Sequence, residues 1–438
     1  MQCEWRETTI GAVCSRVFSG GTPTSTNPAF YGGGIPWLRT KEVNYGKVHS
    51  TEQTITEAGL VASSAKMVPI NTVIVAMYGN GDTAGRAAIA KVPLTTNQAC
   101  CNLVVDSSKA DYRFVYYYVR SRYQSLVDLK NGGAQQNLNA QLIKAFPLYL
   151  PSLTLQAEIA DVLEALDDRI ELLRQTNATL ESIAQALFKS WFIDFDPVRA
   201  KVEGREPEGM DAETASLFPD SFEDSTLGEI PRGWKISEIG QVAQCVGGGT
   251  PSTKESNFWE PAIHHWTSPK DLSGNLSPVL LNTERRISDA GLAKVSSGLL
   301  PVGTLLMSSR APIGYLAVAQ ISLAVNQGYI AMLPGGVLPT PYLYFWCKAN
   351  MDAIKQKANG STFMEISKSA FRPIPLIVPP RDIVECFSIL SGSVFDRITA
   401  GEKQRLALEE IRDTLLPRLI SGKLRLPEAE AQMNEALA

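Results

Sequence analysis

The sequence predicts an α+β fold made of two tandem-duplicated α+β domains, separated by two long helices that pair as an antiparallel coiled coil. Three observations predict it. Residues repeat along the chain at an offset of 228 or 229 positions. Each half opens with roughly 150 residues of short apolar runs broken by Gly, Pro, Asn and Asp. Each half then continues into a seven-residue apolar repeat.

The repeat runs through both halves and so indicates duplication of a whole unit. The matched pairs are Trp5 and Trp234, residues 20–24 and 248–252, Trp37 and Trp266, Lys41 and Lys270, Asn97-Gln98 and Asn326-Gln327, and Asp168-Arg169-Ile170 and Asp396-Arg397-Ile398. Coincidental loop motifs would not keep one offset across half of the chain.

Short apolar runs predict strands in each block, although the strand order does not follow from them. In the first block strands are expected at 72–77 and 102–105, and a helix with an aromatic face at 112–123. In the second block the matching features are 304–307, 316–325 and a helix over 342–357.

Apolar residues seven apart predict a coiled-coil seam in each half. The first seam consists of Ile159, Leu166, Leu173, Leu180 and Leu187, with Leu163, Ile170, Ile183 and Ala184 beside it and Asn177 as a polar interruption. The second consists of Phe387, Val394, Leu408 and Leu415, with Gly401 in the slot between and Ile398, Ile411 and Leu419 beside it. A helical hairpin packed on a large domain is the alternative.

These features divide the chain into six parts. They are a first domain at 1–151, a first helical region at 152–194, an acidic linker at 195–226, a second domain at 227–380, a second helical region at 381–425 and a C-terminal tail at 426–438. Antiparallel pairing of the helices would relate the halves by a pseudo-two-fold axis. About 36 residues at 1.5 Å each would form a spacer of about 54 Å.

The charge is unevenly distributed. The whole chain carries a formal charge of −4, but residues 1–150 carry a net +5 and residues 225–378 a net +4. Residues 151–224 carry −11 and residues 379–438 carry −2. Two basic blocks favour a polyanionic partner, although a plain solvated surface explains the same charge.

Composition narrows the class of protein. Seven cysteines include no C-x-x-C pair, which favours reduced, mostly buried thiols in a cytoplasmic protein. The first residues form no secretory signal, and no apolar run is long enough to predict a membrane span.

No catalytic constellation is recognisable. His264 and His265 have no ligand spacing around them, and the glycines at 247–249 lack the following Gly-Lys-Ser/Thr of a phosphate loop. The sequence at 27–30 only partly matches a methyltransferase motif, and Asp194 and Asp196 stand at a helix end. We therefore expect no catalytic, cofactor-binding or metal-binding residues.

Three stretches carry a specific resemblance. Residues 186–201 read ALFKSWFIDFDPVRAK, residues 218–222 and 228–234 read FPDSF and GEIPRGW, and residues 415–424 read LLPRLISGKL. They resemble, in order, the central conserved region, the entry to the second target recognition domain and the C-terminal conserved region of type I restriction–modification specificity (S) subunits. The resemblance covers nearly the whole chain.

The resemblance implies a non-catalytic DNA specificity subunit. Each target recognition domain would read one half of a bipartite sequence in double-stranded DNA, and the coiled coil would set the spacer and dock two modification (methyltransferase) subunits. It also implies restriction (ATPase and nuclease) subunits in the complex, and no membrane. S-adenosylmethionine, ATP and Mg would be held by the partner subunits. B-DNA half-sites about 34–36 Å apart suit a spacer of this kind.

Candidate contacts follow from residue type and position. Glycine loops permit close backbone approach, hydroxyls suit phosphates, and Arg and Lys suit phosphate or guanine. The DNA candidates are Gly21, Thr22, Thr24, Arg39, Lys41, Arg86, Gly249, Thr250, Ser252, Ser268, Lys270, Ser309 and Arg310. The partner-subunit candidates, from the resembling helical stretches, are Phe188, Trp191, Phe192, Leu416 and Arg418.

Alternatives remain at each of these positions. The glycine loops are equally plain turns, the cations equally surface residues, and residues 132–137 and 360–362 either touch DNA or cap a turn. For Asn97-Gln98 and Asn326-Gln327 we favour a structural role, because amides often bridge loop backbones. For the whole chain the alternatives are a self-sufficient DNA methyltransferase or nuclease, and a coiled-coil adaptor that does not read DNA.

Overall fold

The computed structural model describes residues 5–79, 81–129, 137–275, 277–360 and 364–437. Residues 132–136 and 361–362 of the two glycine-containing segments named above lie outside these ranges. The chain divides into two compact units, Met1–Glu171 with Leu406–Ala438, and Leu172–Arg405. Both long helices contribute residues to each unit.

The first unit contains the first α+β module, which is residues 5–151. Its strands are β1 (Arg6–Thr9), β2 (Cys14–Ser19), β3 (Tyr31–Leu38), β4 (Lys47–Val48), β5 (Gln53–Ile55), β6 (Val73–Ala76), β7 (Ala87–Ala90), β8 (Thr95–Thr96), β9 (Cys100–Val105) and β10 (Pro147–Leu150). Its helices are α1 (Glu57–Val61), α2 (Tyr112–Ser121), α3 (Tyr123–Asp128) and α4 (Ala140–Ala145).

The next element, α5 (Leu153–Phe192), contributes residues to both units, and the connecting elements that follow it lie in the second unit. These are α6 (Asp196–Val202), α7 (Ala212–Leu217), β11 (Phe222–Ser225) and β12 (Gly228–Pro231). The segment 195–226, expected as an acidic linker, thus contains two short helices. Phe195, Val198 and Phe218 from it are buried in the core of the second unit.

The second module, residues 232–380, lies in the second unit. Its strands are β13 (Lys235–Glu238), β14 (Cys245–Val246), β15 (His264–Thr267), β16 (Val279–Leu280), β17 (Arg285–Ile287), β18 (Leu305–Ser308), β19 (Leu316–Ala319), β20 (Leu323–Val325), β21 (Tyr329–Met332) and β22 (Pro375–Val378). Its helices are α8 (Ile239–Val242), α9 (Pro269–Leu272), α10 (Asp289–Leu292), α11 (Thr340–Ala349), α12 (Met351–Gln356) and α13 (Lys368–Phe371), and α14 (Arg381–Ile420) and α15 (Leu426–Leu437) follow.

The two modules have the same strand order, which confirms the predicted duplication. The five-stranded sheet runs β2-β9-β6-β7-β4 in the first module and β14-β21-β18-β19-β16 in the second. The three-stranded sheet runs β5-β3-β8 and β17-β15-β20. In each three-stranded sheet the central strand pairs antiparallel on one side and parallel on the other.

The predicted elements are present, with three interruptions. The expected strand at 316–325 is two strands, β19 and β20. The expected helix at 342–357 is two helices, α11 and α12, because Asn350 leaves helical geometry (φ −104°, ψ 15°) and its side-chain amide donates to the Trp346 carbonyl at 2.9 Å. The same break follows α2 at Arg122 (φ −104°, ψ 20°).

The heptad residues form the buried side of both long helices. In the first unit Leu163, Leu166 and Ile170 of α5 are buried, as are Leu408, Leu415 and Leu419 of α14. In the second unit Asn177 faces Gly401, where an added Cβ would lie 2.6 Å from the Asn177 Oδ1. Phe188, further along α5, packs on Phe387 with ring centroids 5.7 Å apart. Rising numbers on α5 thus meet falling numbers on α14, which confirms antiparallel pairing.

One predicted seam position is wrong. Ile183 is 58% exposed, whereas its neighbour Ala184 is buried. Ala184 continues the seven-residue spacing of Leu163, Ile170 and Asn177, whereas Ile183 is rotated by about 100° around the helix. The seam there takes the small residue, and the larger side chain points to solvent.

Candidate nucleic-acid interface

The glycine loops after β2 and β14 lie against neighbouring backbone. A Cβ on Gly20 would lie 2.1 Å from the Thr96 carbonyl oxygen, and one on Gly248 would lie 1.7 Å from the Val325 carbonyl oxygen. Only glycine permits so close an approach. Backbone hydrogen bonds complete the contact, from Gly21 N to Thr96 O at 2.8 Å and from Gly249 N to Val325 O at 3.0 Å.

Side chains fix each loop at two further points. Thr22 donates its hydroxyl hydrogen to Gln98, and Thr250 donates to Gln327 Oε1 at 2.7 Å. The indole nitrogen of the strand tryptophan donates to the loop carbonyl, Trp37 to Gly21 at 3.0 Å and Trp266 to Gly249 at 3.1 Å. Gln98 and Gln327 thus each hold a loop within its own module, as expected for the structural role that we favoured.

The threonine and serine that end the loops are exposed. The Thr24 carbonyl accepts a hydrogen bond from Asn27 N at 3.1 Å, and the Ser252 carbonyl accepts one from the Trp259 indole at 3.0 Å. Their hydroxyls stay on the surface, where a phosphate could reach them.

The cations after β3 are paired with carboxylates. Arg39 Nη2 lies 2.7 Å from Glu52 Oε2, and Lys41 pairs with the same glutamate. The pKa of Glu52 is lowered, chiefly by the hydrogen bond from Lys41. Glu42 orders this end of the module, because its carboxylate accepts from Arg39 N at 3.1 Å and from Glu52 N at 2.8 Å.

The second module repeats this arrangement after β15. Lys270 Nζ lies 2.8 Å from Glu284 Oε2. Asp271 takes the place of Glu42 and accepts from Ser268 N and from Glu284 N, both at 2.8 Å. Ser268 therefore caps α9, and Lys270 remains 75% exposed.

The remaining DNA candidates lie in two polar loops. Arg86 Nη2 lies 2.5 Å from Asp82 Oδ2. Arg310 Nη1 lies 3.7 Å from Glu365 Oε2. Ser309 is only 3% exposed, and its backbone bonds to Gly328 and Ile366. A contact between Ser309 and DNA would require this strand end to open.

Four of the five partner candidates lie inside their units. Phe188, Trp191 and Phe192 are 1–3% exposed in the aromatic core of the second unit, and Leu416 is 5% exposed in the first. Arg418 is partly exposed and donates to Gln432 Oε1 at 3.1 Å. Because these four side chains are buried, a partner subunit would contact the surface around them and not the side chains themselves. Binding of a partner in these regions stays a prediction.

The sequence reasoning passed over a stacked arginine in the second module. The Arg285 guanidinium lies 3.4 Å from the ring centroid of Trp259 and 5.6 Å from that of Trp266. The pairing of β17 with β15 places Arg285 directly opposite Trp266, 19 residues earlier in the chain. The one signal available was the pair of adjacent arginines at 285 and 286 in a basic block.

The described ranges hold no group of three or more His, Cys, Asp or Glu placed to bind a metal ion. No helix among them has the length and apolar character to cross a membrane. Burial raises the pKa of Cys101 to about 12 and that of Cys245 to about 11.

The sequence family described as the type I restriction modification DNA specificity domain matches residues 3–182 and again residues 231–409. The chain belongs to this family. The two matches begin at the two modules and extend into the two long helices, so the family domain occurs twice in one chain.

The chain is similar to specificity subunits of type I restriction enzymes. The chain is 27% identical to the type I restriction enzyme MjaIX specificity subunit of Methanocaldococcus jannaschii, over 98% of each chain. It is 28% identical to the HindI specificity subunit of Haemophilus influenzae, over 69% of this chain and 74% of the relative. A crystal structure of the S subunit from M. genitalium shares the fold, with a TM-score of 0.57 at 17% identity over 95% of this chain and 96% of that one.

Proposed function

We propose that the protein is the non-catalytic DNA sequence-specificity subunit of a type I restriction–modification complex. The observation that carries the proposal is the repeated interface. Two copies of the family domain have one strand order, and each ties a Gly-Gly-Thr-Pro loop to a tryptophan and a glutamine in the same way. Two such modules in one chain suit a bipartite target, with one half read by each.

The helices provide the second part of the proposal. The paired α5 and α14 set the spacer between the half-sites and dock two modification subunits, which hold S-adenosylmethionine. Restriction subunits supply ATP hydrolysis and DNA cleavage with Mg. The complex acts in the cytoplasm, and the subunit itself contributes no catalytic group.

Coexpression with the cognate modification subunit tests the proposal. The purified complex should methylate adenines within one bipartite motif, while the rigorously purified chain alone should neither methylate nor cleave DNA. Turnover by the chain alone, abolished by a point change within it, would support the self-sufficient enzyme instead. Complex formation without sequence-specific DNA binding in a gel-shift assay would support the adaptor.

A further inference from the structure

Strand register identifies one equivalent position in the two modules. In the first module Gln53 of β5 lies directly opposite Trp37 of β3. In the second, Arg285 of β17 lies directly opposite Trp266 of β15. The two tryptophans are the residues that bind the glycine loops, so Gln53 and Arg285 occupy the same place beside the same loop.

This position lies at the polar end of each module. The preceding residue is Glu52 in one module and Glu284 in the other, and each pairs with the lysine that follows the tryptophan strand. Directly opposed residues of an antiparallel pair point to the same face. Gln53 and Arg285 therefore share the face of the tryptophan, and both are exposed.

The two side chains are free to bind a ligand. Within the described ranges the Gln53 amide has no hydrogen-bond partner, and Arg285 has no carboxylate partner. By contrast, Arg39, Lys41, Arg86, Lys270 and Arg310 are all engaged with acidic residues. Stacking on Trp259 holds the Arg285 guanidinium plane while leaving its N–H edge available.

We propose that this position reads one base in each half-site, with Gln53 selecting adenine in the half bound by the first module and Arg285 selecting guanine in the other half. The inference rests on the proposed function. A glutamine amide matches N6 and N7 of adenine, and an arginine fork matches O6 and N7 of guanine. At this position, two modules of one fold would thus select different bases.

The test is to substitute Arg285→Gln in the assembled methyltransferase and to measure methylation of a DNA library with randomised half-sites. One position of the second half-site should change from guanine to adenine, while the first half-site and the spacer stay the same. The preference for guanine there should fall roughly 5- to 150-fold, which corresponds to the loss of one bidentate pair worth about 1–3 kcal/mol. The reciprocal Gln53→Arg should bring guanine into the first half-site only.

Two variants serve as controls. Arg286 is the next residue, also exposed, but it lies opposite His265 on the other face of the sheet, so Arg286→Gln should leave the motif unchanged. Arg285→Lys keeps the charge but removes the planar fork, so it should retain guanine at that position with a weaker preference than wild type.

The outcomes separate this inference from the proposed function. If the wild-type complex methylates one motif and Arg285→Gln methylates the same motif, the proposed function stands and this inference is overturned. A uniform loss of affinity across all sequences, restored by Arg285→Lys, would assign Arg285 to phosphate and would also overturn it. If the wild-type complex has no sequence preference, both fail together.

Discussion

The lysine after each tryptophan strand has the same acidic partner in both modules. Lys41 pairs with Glu52 and Lys270 with Glu284, and all four side chains are more than half exposed. Exposed ion pairs contribute about 0–1 kcal/mol. A DNA phosphate can therefore replace the glutamate at little cost, and the lysines remain candidate phosphate contacts.

The substitutions Lys41→Ala and Lys270→Ala should weaken binding of the assembled methyltransferase about equally for all sequences. Loss of one phosphate contact lowers the slope of log affinity against log salt by about one. Titration of target and non-target DNA over a salt series measures this. Binding equal to wild type at every salt concentration would assign the lysines to the glutamates alone.

The carboxylate of Asp167 joins a partly buried network of hydrogen bonds in the first unit. Its carboxylate accepts hydrogen bonds from the Tyr117 hydroxyl and from Arg120 at 2.9 Å, and from Arg412 at 3.0 Å. The side chains of Arg120 and Arg412 are only 11% exposed. Asp167 thus links the first module to both helices within that unit.

Asp167→Ala should destabilise the protein by about 3 kcal/mol, because it leaves two largely buried guanidinium groups without this partner. The neighbour Asp168 is 57% exposed and pairs with Lys47 at the surface, so Asp168→Ala should cost about 1 kcal/mol or less. Urea denaturation of the full chain compares the two. Equal midpoints for both variants would contradict a buried network.

Glu164 makes the same region sensitive to acid. Burial alone would raise its pKa, but hydrogen bonds from Lys47 and Arg113 outweigh burial and hold the pKa below the ordinary value. A carboxylate with a lowered pKa in the folded state adds stability above its unfolded pKa of about 4.5, and this stability is lost as pH falls.

Glu164→Gln should therefore be less stable than wild type at pH 7, and the difference should shrink below about pH 4.5. Urea midpoints of both proteins between pH 7 and pH 3, measured without DNA, provide the comparison. A difference that stays constant over this range would show that Glu164 does not act through its charge.

The sequence revealed the two lysines as equivalent residues, but not the glutamates that pair with them. Lys41 and Lys270 are visible because they share the 229-residue offset with the tryptophans. Their partners Glu52 and Glu284 are 232 apart, since the second module has three more residues in between, so the pairing is hidden. Gln53 and Arg285 were missed for the same reason, because strand register and not sequence distance sets their position.

At the scale of elements, the heptads predicted both helices and their seam. They did not predict what packs outside the seam. In the first unit Tyr117 of α2 meets Asp167 of α5, whereas in the second unit Phe345 of α11 meets Phe395 of α14 with ring centroids 5.9 Å apart. Tyr117 and Phe345 are equivalent in the repeat, and so are Asp167 and Phe395. The contact is polar in the first half and aromatic in the second.

The paired helices should act as a ruler. Insertion of one heptad in each helix, beside Asn177 in α5 and beside Gly401 in α14, keeps the seam in register and adds about 10.5 Å. The mapped motif should keep both half-sites and lengthen its gap by about three base pairs of 3.4 Å. An unchanged gap in a folded, active variant would refute the ruler.

At the scale of the whole molecule, duplication was the feature that the sequence predicted best. A repeat of one offset needs no knowledge of packing. The strand order could not be predicted, because each three-stranded sheet joins β3 to β8, or β15 to β20, in parallel across more than fifty residues. Turn residues in a sequence indicate which consecutive strands are connected. They do not indicate which distant strands pair in parallel, because that pairing depends on how the whole sheet is buried.

Module exchange tests the central claim most directly. Residues 1–151 are replaced by the corresponding module of a relative, and methylated adenines are mapped after coexpression with the modification subunit. The account predicts that one half of the bipartite motif changes to that of the donor, while the other half and the spacer remain. A change in both halves, or in neither, from an active complex would contradict two independent readers in one chain.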